Sequence, residues 1–179
     1  FRSEKRLKET VVKMGEINQV ATEKNKLLEG VSFINDQIQK SNSLATLSNN
    51  VIRSVVSYLE VPAGVIYIKN ETADLLEMTA GVAVSSDAKI GFKIGEGIIG
   101  NAALQKNAVS ISDVPADYWH VETSLGDMRG RGEILCMPLW LDNELKGLIE
   151  LGIFGMFSTH QKNLLENISH NVASAIQAQ

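Results

Sequence analysis

A pair of apolar runs near the C-terminal end constrains the fold of this chain more than any other feature. Residues 133–141 (EILCMPLWL) and 145–154 (LKGLIELGIF) consist mainly of large apolar side chains, and Asp142-Asn143 separates them. Asp and Asn tolerate positive φ angles, so this dipeptide between two such runs predicts a β-hairpin. A second hairpin is predicted from residues 63–80, with its turn at Asn70-Glu71.

Two amphipathic helices are predicted beside these strands. One follows the polar triplet at residues 41–43 and ends before Pro62, and the other runs from Thr159 to about Ala178 after Ser158. Ser and Asn oxygens can accept the free N–H groups of a first helical turn. The buried faces are expected to carry Leu44, Leu47, Val51, Val55 and Leu59 in the first helix and Leu164, Leu165, Ile168, Val172, Ala173 and Ile176 in the second. Helices combined with an antiparallel sheet predict an α+β fold.

The middle of the chain combines a glycine-rich turn with a long polar segment. Residues 95–100 (GEGIIG) precede a helix expected at 101–106, and short strands are expected at 89–92 and 108–111. The glycines are expected to form a tight turn and to let this helix approach the sheet closely. Residues 112–132 are expected to be an irregular loop, and a loop this long in a compact domain is usually functional or disordered.

The first forty residues are predicted to form one long helix with a coiled-coil seam. They contain no proline, and apolar side chains recur at two positions of a seven-residue repeat. The seam is expected to meet its copy in a parallel homodimer; the alternative is one amphipathic helix that packs on its own domain. Ala21, Lys24 and Asn35 weaken the seam, which suits a helix that shifts between registers. The predicted seam residues are Leu7, Met14, Ile17, Ala21, Leu28, Val31, Asn35 and Ile38.

Charge and cysteine content exclude several kinds of partner. The formal net charge is −4 without a block of like charges, so nothing indicates nucleic acid or direct membrane contact. Cys136 is the single cysteine, which indicates a reducing compartment and a cytoplasmic location. No apolar run reaches the roughly 20 residues of a transmembrane helix. The chain begins at Phe1 and ends inside an expected helix, so we expect it to be a segment of a larger protein that could itself be membrane-anchored.

From about residue 42 onward the chain resembles the GAF domain. The matching features are the first helix and strand (47–68), GEGIIG (95–100), the Asp-Val-Pro loop (109–115), ILCMPL (134–139), KGLIEL (146–151) and the closing amphipathic helix. The resemblance divides the chain into a signalling helix at 1–41 and a GAF domain at 42–179. It implies a PAS-like antiparallel sheet of about six strands, with the terminal helices on one face and a small-molecule pocket on the other.

The nearest resemblance is to GAF domains between HAMP linkers and kinase modules of bacterial multi-sensor and hybrid histidine kinases. It implies a non-catalytic, regulatory role in a two-component system, in which a homodimer relays a signal through its terminal helices. The expected ligand is an unidentified small molecule, and no metal or fixed cofactor is expected. The alternative is a ligand-free dimerisation and spacer module.

The ligand site is expected where the polar segment faces the sheet. Aromatic rings, hydroxyls and cations gather there, as in a ligand lid. Glu150 lies in an apolar strand, and a buried carboxylate needs a partner, for which Arg131 or Tyr118 is expected; a solvated Glu150 at a strand edge is the alternative. The candidate binding residues are Tyr118, Trp119, His120, Ser124, Arg131 and Glu150.

More specific functions that single motifs could indicate have less support from the sequence. GEGIIG matches the dinucleotide fingerprint, but no parallel βαβ unit surrounds it. His170 lacks the Arg-Thr-Pro that follows a kinase phospho-acceptor histidine, and His120 is a weak candidate for haem ligation. Cys136 is the only candidate for covalent tetrapyrrole attachment, although a lone strand cysteine usually behaves as a buried apolar residue. The cyclic-nucleotide pattern of some GAF domains is absent, and a methionine-sulfoxide reductase would need more than one reactive thiol.

Overall fold

The computed structural model describes residues 2–179, so Phe1 of the predicted N-terminal segment lies outside the described residues. It contains four α-helices and eight strands within that range. The helices are α1 (Arg2–Gln39), α2 (Leu44–Leu59), α3 (Gly97–Ala103) and α4 (Thr159–Gln177). The strands are β1 (Ala63–Asn70), β2 (Leu75–Val82), β3 (Gly91–Lys93), β4 (Val109–Val114), β5 (Val121–Thr123), β6 (Gly126–Met128), β7 (Gly132–Leu141) and β8 (Glu144–Phe154).

Six strands form one antiparallel sheet in the order β3-β2-β1-β8-β7-β4, and β5 pairs with β6 in a separate hairpin. The two predicted hairpins, β1-β2 and β7-β8, lie side by side because β1 pairs with β8. This arrangement confirms the predicted α+β fold with six antiparallel strands. No helix within residues 2–179 combines the length and apolarity needed to span a membrane.

The β7-β8 hairpin contains the two longest strands of the sheet, of 10 and 11 residues. Asp142 and Asn143 both adopt positive φ angles, of 47° and 64°, as expected for a tight two-residue hairpin turn. Successive side chains of β8 alternate between the two faces of the sheet. Ile149 and Leu151 therefore face the helices, whereas Leu148 and Glu150 point to the opposite face.

The helix-covered face holds the larger hydrophobic core. Both α2 and α4 begin with a capping box, Ser43 with Thr46 and Ser158 with Gln161, as the polar residues at these positions indicate. The Gln161 amide also donates to the carbonyl of Leu59 (2.9 Å), which ties the start of α4 to the end of α2. The predicted buried faces are confirmed, except that Leu44 and Ile176 are only half-buried.

The long helix α1 divides into an exposed half and a packed half. Of the predicted seam residues, Leu7, Met14, Ile17 and Leu28 are 56–67% exposed, and Ala21 is also exposed. Val31 and Ile38 instead pack on the core of their own domain, and the amide of Asn171 donates to the Asn35 side chain (3.1 Å). The alternative of an amphipathic helix that packs on its own domain therefore describes the C-terminal part of α1.

The glycine-rich motif differs from its sequence prediction in where the helix begins. Helix α3 starts at Gly97, inside the motif, and ends at Ala103, whereas the sequence predicted residues 101–106. Gly95 and Gly97 have φ angles of 86° and 64°, and a β-carbon at Gly100 would overlap the carbonyl oxygen of Lys93. The predicted structural role of these glycines is confirmed.

Candidate functional site

A cavity of about 420 Å³ lies on the sheet face opposite α1, α2 and α4. Its floor is formed by side chains of β1 and β8, and its walls come from the β2-β3 connection and the segment after β4. A β-bulge between Ile66 and Tyr67 interrupts the β1-β2 register beside the floor. Bulges of this kind often lie next to functional sites because they redirect a side chain. The cavity has the size and the mixed lining expected of a small-molecule site.

Glu150 and Tyr67 form the polar centre of the cavity floor. The Tyr67 hydroxyl donates to Oε2 of Glu150 at 2.9 Å. Burial raises the pKa of Glu150, and the hydrogen bond from Tyr67 lowers it less than burial raises it. Burial and the neighbouring Glu150 carboxylate also raise the pKa of the Tyr67 hydroxyl, so Tyr67 remains a neutral donor.

Trp119 closes one side of the cavity. Its ring stacks on Phe154 with a centroid distance of 4.5 Å and an interplanar angle of 5°. A β-carbon at Gly152 would lie 3.1 Å from the indole ring, so the absence of a side chain there lets Trp119 lie close over β8. The indole Nε1 is buried without a hydrogen-bond partner among residues 2–179. A buried unsatisfied donor is costly and is one of the features that mark a candidate functional site.

The rim of the cavity carries charges of both signs. Lys89 holds its ammonium 4.7 Å above the Phe92 ring, and Nε2 of His120 lies 3.5 Å from Oε1 of the exposed Glu122. A hydrogen bond from Ser85 holds the pKa of Asp87 below its usual range, so Asp87 stays ionised. The rim is open to solvent, and its charges are therefore partly screened.

The structure brings together four of the six candidate binding residues. Tyr118, Trp119, His120 and Glu150 all line the cavity. Ser124 instead lies in the exposed turn between β5 and β6, in a segment that was expected to be irregular. Arg131 forms an exposed ion pair with Asp113 (3.1 Å) outside the cavity. The expected contact between Arg131 and Glu150 is therefore wrong, and the hydrogen bond to Glu150 comes from Tyr67 and not from Tyr118, the other expected partner.

Sequence reasoning missed most of the cavity floor and one wall. Val65 and Tyr67 are two residues apart in β1 and face the same side of the sheet. A correct β1-β8 pairing would have placed them next to Glu150. The β2-β3 connection gave no motif that could have identified it. The cavity residues that the sequence did not indicate include Val65, Tyr67, Met78, Asp87, Lys89 and Phe92.

A buried carboxylate links the cavity side of the sheet to α4. Glu133 is 1% exposed and accepts hydrogen bonds from the Phe157 backbone N–H (2.7 Å) and from the Ser110 hydroxyl. The Lys162 ammonium of α4 lies 3.1 Å from Oε1 of Glu133. The next residue, Ile134, lines the cavity. A displacement of this end of β7 would therefore act directly on the ion pair with α4.

Cys136 and His170, the other reactive side chains considered from the sequence, do not line the cavity. Cys136 is fully buried, and burial followed by the charge of Glu150 raises the pKa of its thiol, so the reactive thiolate is suppressed. His170 is exposed on α4. No group of His, Cys, Asp and Glu within residues 2–179 has a geometry suited to a metal ion.

Replacing Tyr67 with Phe is expected to raise the pKa of Glu150 further, since the lost hydrogen bond favours the carboxylate. The phenyl ring can keep the edge-to-face contact with Phe92 (5.6 Å). Because a raised folded-state pKa weakens stability as pH rises above the unfolded value of about 4.3, the deficit of the variant should grow toward neutral pH, to about 1–2 kcal/mol. Carbon-13 NMR titration of the glutamate carboxyls and urea unfolding measure the two effects. Tyr118→Phe is the control, and an unchanged Glu150 pKa in Tyr67→Phe would contradict the assignment.

Comparison with known proteins agrees with this architecture. A GAF domain family model matches residues 41–177. The GAF domain of a phosphoenolpyruvate-protein phosphotransferase from Coxiella burnetii is 18% identical, with a TM-score of 0.71 over 86% of this chain and 94% of that chain. A free methionine-R-sulfoxide reductase from Neisseria meningitidis, solved with its substrate, is 15% identical, with a TM-score of 0.65 over 85% and 89%.

The GAF-B domain of DevS from Mycobacterium smegmatis is a further structural relative, at 16% identity, with a TM-score of 0.56 over 75% of this chain and 93% of that chain. No curated protein sequence matches. At these identities the structural likeness shows the fold alone, whereas the family model covers more than half of the chain. The chain therefore belongs to the GAF domain family.

Proposed function

We propose that this chain is a non-catalytic sensory GAF module that binds a small molecule in the cavity and relays the binding event through its terminal helices. The observation that carries this proposal is that one face of strand β8 lines the cavity and its opposite face packs against the helices. Glu150 lines the cavity, while Ile149 and Leu151 on either side of it pack in the core beneath the helices. A shift of β8 on ligand binding would thus act on both faces.

Glu133, near the start of β7, supports the same relay. It connects β7, beside the cavity residue Ile134, to Lys162 of α4. A ligand can drive a change only if it binds one helix arrangement better than the other. The proposed output is a small rotation or register shift of α1 and α4 in a parallel homodimer.

The wider setting follows from the sequence resemblance. We infer that the parent is a bacterial histidine kinase of a two-component system and that this segment lies in the cytoplasm. The exposed seam of α1 supports the homodimer, because apolar side chains such as Leu7, Met14 and Ile17 find no cover on their own domain. That same seam would also serve a ligand-free dimerisation and spacer module, which is the second candidate function.

An enzymatic role like that of the methionine-sulfoxide reductase relatives is not favoured. Thiol-based sulfoxide reduction needs a nucleophilic thiolate and a partner thiol or external reductant. Cys136 is the single cysteine of this chain, and its burial opposes thiolate formation.

Thermal unfolding against a panel of amino acids, organic acids, cyclic nucleotides, amines and tetrapyrroles tests the sensor. A ligand that prefers the native state raises the unfolding midpoint in a saturable way. The rise should be lost in Val65→Phe, which fills the cavity floor, and reduced in Tyr118→Ala. Arg131→Ala, outside the cavity, is the matched control and should keep the full response. No response to any class by a stable dimer would favour the spacer.

A further inference from the structure

Glu150 is a carboxylate without a cationic partner. Its neighbours across the ladder are Val65 on β1 and Cys136 on β7, neither of which carries a positive charge. Tyr67 supplies a hydrogen bond to Oε2, and within the part of the chain that the structure describes no Lys, Arg or His forms an ion pair with Glu150. A partly buried carboxylate in apolar surroundings requires a cation or a proton. The cavity is the open side from which a cation can approach.

Aromatic side chains surround the same space. Tyr67 and Phe92 meet edge to face at 82°, and Trp119 and Tyr118 complete the aromatic part of the lining. Aromatic faces attract cations, most strongly where water is excluded. A carboxylate beside aromatic rings is therefore a combination that favours an organic cation over a neutral molecule.

The other charges of the lining disfavour an anion. Asp87 and Asp117 add negative charge to that of Glu150, while Lys89 and His120 are the basic side chains of the lining. Lys89 is directed over the Phe92 ring, and His120 lies beside Glu122. An anionic ligand would have to enter toward Glu150 against this charge, and like charges at short range repel each other.

We propose that the cavity binds a compact organic cation, a primary amine of about amino-acid size whose ammonium group pairs with Glu150 while its apolar body contacts Phe92 and Trp119. The cavity volume of about 420 Å³ lies in the lower part of the range of small-molecule sites, which suits a ligand of this size. This proposal rests on the proposed sensor function and narrows the class of its ligand. It also gives Glu150 a cationic partner beside the hydrogen bond from Tyr67.

Three probes with the same phenyl body and different heads test the charge preference. They are 2-phenylethylammonium, neutral 2-phenylethanol and anionic 3-phenylpropanoate, titrated into the full chain carrying Trp140→Phe so that Trp119 is the remaining tryptophan. Trp140 lies outside the cavity, with its indole donating to the carbonyl of Gln105. The ammonium probe should change Trp119 fluorescence saturably, with an affinity at least about tenfold above either other probe.

Glu150→Gln removes the charge and keeps the size of the side chain. It should lower the affinity for the ammonium probe at least about tenfold, since a charge-assisted hydrogen bond is lost. The affinity for the alcohol should stay unchanged. Glu144→Gln is the matched control, because Glu144 is exposed and pairs with Lys146. Circular dichroism of each variant checks that the fold is intact.

The outcomes separate this proposal from the sensor function. Equal or tighter binding of the alcohol or the carboxylate, or an unchanged ammonium affinity in Glu150→Gln, would overturn the cation preference while a ligand response lost in Val65→Phe would still support the sensor. No binding of the ammonium probe at millimolar concentration would also overturn it. The absence of a midpoint shift with every compound class in the thermal experiment would contradict the sensor function itself.

Discussion

Replacing Glu133 with Ala is expected to lower the free energy of unfolding by about 2–4 kcal/mol at pH 7. The change leaves the Phe157 N–H and the Ser110 hydroxyl without their acceptor and Lys162 without its partner, at a site where the carboxyl is 1% exposed. Urea unfolding of wild type and variant measures the loss. Glu9→Ala, on the exposed part of α1, is the control and should change stability by less than about 0.5 kcal/mol.

A second variant, Glu133→Gln, distinguishes the contribution of the Glu133 charge to stability from that of its packing, through the pH dependence of the free energy of unfolding. Burial alone would raise the pKa of Glu133, but the hydrogen bonds from Ser110 and Phe157 and the proximity of Lys162 together hold it below its ordinary value. A depressed folded-state pKa stabilises the protein above the unfolded value of about 4.3 and ceases to do so as pH falls through the folded value. The difference between wild type and Glu133→Gln should therefore shrink below about pH 4.3, and a constant difference would contradict a role for the charge.

The backbone plan of this domain was readable from its sequence because local signals agreed with each other. Asp142-Asn143 between apolar runs identified the β7-β8 hairpin, and the capping residues Ser43 and Ser158 marked the two helix starts. Local turn and capping chemistry is encoded within a few residues, so it does not depend on which strands become neighbours. The pairing of β1 with β8, which brings Tyr67 beside Glu150, has no such local signature.

The candidate site was only partly readable for the same reason. Tyr118 and Trp119 were conspicuous as aromatic residues in a polar segment, and both line the cavity. Arg131 was grouped with them because it is near in sequence, but the β5-β6 hairpin intervenes and Arg131 pairs with Asp113 instead. Glu150 was conspicuous as a charge in an apolar strand, yet its partner on β1 required the sheet order.

The seven-residue pattern also could not predict the division of α1 into an exposed and a packed half, because it does not show which surface a seam residue contacts. A seam residue can pack against a second copy or against its own domain, and Val31 and Ile38 take the second option because α2 and α4 offer a complementary apolar surface there. Gly30 permits this close approach, since a β-carbon at this position would lie only 2.9 Å from the Leu164 side chain. The exposed seam ahead of this region is the part that remains available to the proposed homodimer.

Replacing Met14 with Asp is expected to weaken the proposed homodimer at least about 100-fold, because two apolar side chains lose their burial and two charges face each other in its centre. Met14 is 61% exposed, so the fold of each chain should remain intact. Val12→Asp is the matched control: Val12 is 59% exposed but lies on the helix face opposite the seam, and its replacement introduces the same charge and the same loss of helix propensity.

Sedimentation equilibrium of the wild type and the two variants decides the result. Dimers of wild type and Val12→Asp with monomers of Met14→Asp would support a parallel seam through Leu7, Met14 and Ile17. Equal dissociation in both variants would place the contact elsewhere on α1, and a monomeric wild type would remove the homodimer from the proposed function. Because a parallel seam brings the same residue of each copy together, Met14→Cys should also form a symmetric disulfide under oxidising conditions, whereas an antiparallel pair should not.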